Sequence, residues 1–176
     1  MAEYILINEN WIKDYTPLTK AVDPNLMKQS ALTMQDMYIA PRLGDALLRE
    51  CKTQAEAGTL SGYYATLVND YLRKALTWYT TYDLLPRLYV RYDNGGPQIH
   101  ISDETNQIEQ VDLQREVADA LEKAQFYTKR MVDWLCVNGS NMPEYTSNTA
   151  PDRSPTAAQV FSQSGMTFSQ GKRNYG

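Results

Sequence analysis

The side chains able to do chemistry in this sequence are few and poorly grouped. The one histidine, His100, has Asp103 and Glu104 just beyond it but no cysteine nearby. A metal ligand or general base needs converging partners, and Gln98-Ile99-His100-Ile101-Ser102 alternates like a strand, so His100 reads as a polar strand residue. Carboxylate pairs such as Asp119 with Glu122, or Asp112 with Glu116, fall opposite the apolar stripe of a helical pattern and read as a solvated face. Cys51 and Cys136 lie in separate helical patterns with no CxxC or Cys/His spacing, and read as buried free thiols of a reducing compartment. The sequence contains no GxxxxGK[ST], GxGxxG, GxSxG or HExxH, and Asn94-Gly95-Gly96 is a turn with no helix start behind it. No catalytic residue, metal ligand or cofactor is therefore expected.

Aromatic content is the unusual feature. Of 13 tyrosines, Tyr63, Tyr64, Tyr71, Tyr79, Tyr82, Tyr89 and Tyr92 crowd one helical segment and its continuation, with Trp78 among them. Tyr64, Tyr71, Trp78 and Tyr82 share the expected core stripe; Tyr63, Tyr79 and Tyr89 fall off it. Amphipathic aromatics outside a core suit protein interfaces, where the ring is buried and the hydroxyl keeps a partner. A base-stacking platform also uses aromatics but needs accompanying positive charge. Here 17 Lys+Arg face 21 Asp+Glu, a net charge of -4. The local group Lys123, Lys129 and Arg130 reads as a solvated helix face, so duplex DNA is not an expected principal ligand.

The elements that must position these residues are mostly helical. Tyr4 to Ile7 is a short apolar arm or strand, and Asn8 or Asn10 can cap a brief helix carrying Trp11 and Ile12. Asp23 as N-cap and Pro24 at the first helical position open a helix whose stripe runs Met27, Ala31, Met34, Tyr38 to Ile39 before Pro41 stops it. A second helix spans 45 to 57, with Leu47 and Cys51 inward and Gly58 closing it. A third runs from about 61 to 85, and Pro86 ends or kinks it. A fourth spans 111 to 138, striped by Leu113, Val117, Leu121, Ala124, Met131 and Leu135, with Gly139 just past its end. Between the last two, Asp93-Asn94-Gly95-Gly96-Pro97 is a turn, and a hairpin pairing 88–91 with 98–101 is expected there. It would lean on the helices or on a neighbouring subunit.

From Gly139 onward the chain is rich in Ser, Thr, Asn, Gln, Gly and Pro. It holds two acidic and three basic residues, with no sustained period. Such a segment cannot bury enough apolar area to offset an ordering cost of roughly 1 to 2 kcal/mol per residue. The expected organisation is a helical domain over 1–138 and an extended polar tail over 139–176, ordered by partner subunits through anchors such as Tyr145, Phe161, Phe168 and Tyr175. No secretion signal is expected from MAEYILINENW, and no run approaches the roughly 18 apolar residues that a membrane-spanning helix needs.

One stretch is similar to a known family. Tyr38-Ile39-Ala40-Pro41-Arg42-Leu43-Gly44-Asp45-Ala46-Leu47, within Leu32 to Leu48, resembles the N-terminal half of small helical head-to-tail connector proteins of tailed bacteriophages. The order of elements over residues 24 to 138 resembles their plan too; the polar tail matches no counterpart there, but the mixture of helical domain and extended arm resembles ring proteins of crAss-like phages. The resemblance implies a mainly α fold: a four-helix connector-type bundle with a small hairpin between helices 3 and 4 and an extended C-terminal arm. It implies a non-enzymatic virion protein of the neck, made in the host cytoplasm and assembled as a dodecameric ring. Such a ring docks below the portal, contacts further tail or ring proteins and passes DNA non-specifically through its channel, without membrane contact. Subunit-interface residues are then expected at Tyr63, Tyr79, Tyr89, Ile99, Ile101, Tyr145, Phe161, Phe168 and Tyr175. The alternative is a small helical regulator that captures a protein partner in an aromatic-lined groove beside Tyr79 and Tyr82.

Overall fold

The computed structural model describes residues 4–18, 22–93, 96–99 and 110–147. These are mainly helical. An arm at Tyr4–Ile7 leads into α1 (Glu9–Tyr15), whose N-cap Asn8 accepts the Trp11 N–H at 2.8 Å. Asp23 caps α2 (Pro24–Met34), accepting from the Asn25 N–H at 2.9 Å.

Pro41 does not stop this helix. A π-helical turn at Gln35–Ile39 carries it into α3 (Ala40–Leu43). In a regular helix, Pro41 lacks the N–H owed to the carbonyl four residues back, and its ring clashes there. The wider turn, in which Ala40 N–H reaches Gln35 O, lets the chain pass. Gly44, at φ 78, then makes the corner into α4 (Asp45–Glu56), a backbone region that glycine enters without a Cβ penalty. Ile39, Leu43 and Leu47 around this corner are completely buried.

The tyrosine-rich helix is built the same way, as α5 (Gly62–Thr66), a π turn at Leu67–Leu72 and α6 (Arg73–Tyr89). Pro86 lies inside it, and the helix runs one turn on, closing where Val90 N–H donates to Pro86 O. Two strands follow, β1 (Val90–Asp93) antiparallel to β2 (Gly96–Ile99), with Val90 opposite Ile99. Then α7 (Gln110–Asn138) returns along α6.

Packed between α2 on one side and α7 on the other, α6 is the central helix. It therefore buries two faces, and the Thr80 carbonyl accepts from Ser30 Oγ of α2 at 3.3 Å. Thr77, Thr80 and Thr81 are buried, and each hydroxyl donates to the carbonyl four residues earlier, at 2.7, 2.8 and 3.0 Å. None of these three hydroxyls is left unmet, and the small side chains allow close helix approach.

Both π turns help to hold the N-terminal arm. Gln35, fully buried, accepts the Leu6 N–H and donates to Tyr4 O, each at 3.2 Å. Arg73, at the end of the second π turn, donates through Nε to Leu6 O at 2.9 Å. The arm is thus paired as a strand would be, but by side chains.

The fold does not end at Asn138. A 3₁₀ turn (Gly139–Asn141) and α8 (Pro143–Ser147) fold back so that Met142 and Tyr145 join the core against α4. Tyr64 donates to Glu144 at 2.6 Å and fastens α8 from the other side. Two well-placed anchors and one hydrogen bond offset the ordering cost of a short polar segment, which composition alone does not reveal. The tail positions after Ser147, including Phe161, Phe168 and Tyr175, lie outside the described residues.

Candidate assembly surface

The residues expected at an interface divide sharply. Tyr79 is a core residue, 4% exposed. Its ring stacks on Tyr38 with centroids 4.1 Å apart, and its hydroxyl lies 3.2 Å from that of Thr128, which donates to Ala124 O. The sequence stripe failed here because the π turn at Leu67–Leu72 inserts an extra residue. The inward row of α6 is accordingly Leu72, Ala75, Leu76 and Tyr79, while Tyr71, Trp78 and Tyr82 are only half-buried. Tyr145, 7% exposed, is likewise a core anchor of its own chain. Tyr63 is exposed and Tyr89 half-buried. Ile101, His100, Asp103 and Glu104 lie outside the described residues, as does the side chain of Ile99.

What the fold assembles instead is an aromatic and cationic ladder along the seam between α7 and the continuous run of α5, the π turn and α6. Because the two helices run antiparallel, Tyr63, Tyr71 and Trp78 climb one side as Trp134, Arg130 and Lys123 descend the other. Trp134 lies 6.3 Å from Tyr63 and 5.4 Å from Tyr71, ring centroid to centroid. The Arg130 guanidinium stands 5.7 Å from the Tyr71 ring and 5.9 Å from Phe126. Lys123 stands 4.5 Å from the Trp78 ring and also pairs with Asp119. Contacts of this kind are worth roughly 0.5 to 1 kcal/mol each at exposed sites. They hold the aromatics in fixed orientations, and Tyr63 and Phe126 remain exposed.

One turn beyond Trp78, the same two helices part. Tyr82, Pro86 and Tyr89 of α6 and Leu113, Val117 and Leu121 of α7 line an apolar groove of about 640 Å³. A ladder of Trp, Tyr and Arg beside an apolar groove matches the composition of protein-binding hot spots. The cations do not form a phosphate track, since their ring contacts cover the faces on which bases would stack and Asp119, Glu122 and Asp133 intersperse them.

Protonation chemistry points to structure as well. Burial pushes the Cys51 thiol up to about 12, with Glu50 and Glu144 adding to the effect. Tyr64 is raised first by burial and then by its bond to Glu144, and Tyr38 is raised chiefly by burial. None of these groups is poised to ionise near neutral pH. Cys136, expected inside, is exposed on α7. Among the described residues no cluster of three or more His, Cys, Asp or Glu is placed to hold a metal ion, and no helix is long and apolar enough to cross a membrane.

Sequence reading missed Phe126, Arg130 and Trp134 as members of one surface. The available signal was their mutual spacing of four residues on a single helix, which aligns side chains on one face.

Fold and surface together define a mainly helical protein with an aromatic, mixed-charge face. The chain belongs to DUF6712, a family of unknown function whose model matches residues 39–155. That match begins at the Pro41–Gly44 corner and runs past Asn138 through α8. No curated protein and no solved structure matches the chain.

Proposed function

We propose that this chain is a structural, non-enzymatic virion protein. In this reading it is a subunit of a head-to-tail connector ring that docks below the portal, links it to the next tail component and forms part of the DNA channel. The observation that carries the reading is the ladder of Tyr63, Tyr71, Trp78, Phe126, Arg130 and Trp134, a preformed surface suited to repeated protein contacts. Two further features support it. The stretch resembling connector proteins, Tyr38 to Leu47, makes the buried corner between α3 and α4, so the resemblance rests on residues that fix helix geometry. Ring contacts are also heterologous, one face meeting a different face of the next subunit, and the ladder would supply one of the two. The four-helix connector plan, the dodecameric count and the place in the virion neck belong to this proposal.

The test is assembly with candidate portal and tail proteins. A ring-sized complex seen by electron microscopy and weakened by Trp134→Ala supports the proposal. A chain that ignores both partners and stays small contradicts it.

The groove between Tyr82 and Tyr89 of α6 and Val117 of α7 favours a second reading, capture of one protein segment by an apolar slot.

A further inference from the structure

The outer face of α7 carries charges that are complementary to their own reverse, with Glu122 opposite Phe126 at the centre. Residues 111, 115, 119, 122, 126, 129, 133 and 137 follow one another at spacings of three or four and so share one face. All of them are exposed. Ala124, on the buried side, is midway between Val111 and Val137, between Arg115 and Asp133, and between Asp119 and Lys129. Reversing the helix therefore places valine on valine at the ends and cation on anion within. Phe126 sits just beside the centre, 57% exposed, while Val111 and Val137 are 67% and 77% exposed.

We propose that α7 is a self-complementary docking surface whose occupant is a second copy of this chain, the two α7 helices lying antiparallel about a two-fold axis between Glu122 and Phe126. In that arrangement Arg115 of one copy faces Asp133 of the other, and Asp119 faces Lys129, each pair occurring twice. The two Phe126 rings flank the axis about 6 Å apart along the helix direction, at about 1.5 Å of rise per residue, within range for an aromatic pair. Arg130 already rests against Phe126 and closes the edge of that contact. At 29 residues, α7 is about 43 Å long, enough for an extended helix-to-helix seam. The present partners of these charges are local and exposed, as for Arg115 with Asp112 at 3.9 Å, so exchanging them across an interface costs little.

This pairing is isologous and closes at two copies, whereas a ring contact is heterologous; the two readings share Phe126 and Arg130 and are separated at Asp119 and Lys129. Sedimentation equilibrium of the full chain tests it, with helicity followed by circular dichroism. The wild type is expected to dimerise. Lys129→Glu alone and Asp119→Lys alone each weaken the dimer by about tenfold or more, and the double substitution restores it because the swapped charges again face each other. Phe126→Glu also abolishes it. A monomeric wild type overturns the proposal, as does a double variant no better than the singles. Larger rings insensitive to the Asp119 and Lys129 substitutions would overturn the α7 pairing and leave the connector reading standing, whereas a rescued dimer with no larger species would do the reverse.

Discussion

A Cβ built on Gly139 would lie 2.5 Å from Cδ1 of Tyr145, so the ring of α8 rests directly on the backbone at the end of α7. This close approach, more than any freedom of φ, is what the position demands. Gly139→Ala is expected to push Tyr145 outward and cost about 1 to 3 kcal/mol in urea unfolding. The same variant should expose Cys51, which lies on the buried side of α4 near Glu144. Thiol titration reads this directly, with Cys136 reacting fast and Cys51 slowly in the wild type.

Gln35→Leu removes both bonds to the N-terminal arm and takes away the side-chain partners of Leu6 N–H and Tyr4 O. A loss of about 1 to 3 kcal/mol is expected, with hydrogen-exchange protection lost first at the Leu6 amide.

Burial raises Cys51 from 9.0 to about 12 and Tyr145 from 10.0 to about 12. The folded chain therefore holds these protons more tightly than the unfolded chain. Their stabilising contribution is complete below the unfolded values and is lost as pH rises from about 9 toward 12. Urea midpoints should be level near neutral pH and fall above about pH 9, and Cys51→Ala should flatten the early part of that fall.

Surface and core should separate cleanly by mutation. Met131→Ala, at a completely buried site, is expected to cost about 2 to 5 kcal/mol. Phe126→Ala, on the exposed ladder, should change stability by no more than about 0.5 kcal/mol and act on association instead.

Much of the helical frame is legible in the sequence because its signals are local. Asp23-Pro24 marks the start of α2 as a cap must, and the stripe of α7 repeats over many turns. Pro41 misleads because it reads as a stop, whereas a π turn before it lets the chain continue; Pro86, read as an end or a kink, stands one turn before its helix closes. The same kind of turn hides Tyr79, since an inserted residue at Leu67–Leu72 rotates everything after it relative to a regular stripe. Tyr145 is hidden for a different reason: it depends on contacts with α4 and Gly139 that no local pattern encodes. The ladder is half legible. Its tyrosines are conspicuous, but their partners Arg130 and Trp134 come from a helix far along the chain, and only the antiparallel return of α7 joins them.

The proposed role requires repeated contact with other protein subunits, and its rival requires a single one. Native mass measurement of the full chain, alone and mixed with candidate portal and tail proteins, decides between them. The expected result is a closed multi-copy ring whose population falls when Trp134 is replaced by alanine. A complex of one copy with one partner, or no complex at all, would contradict it.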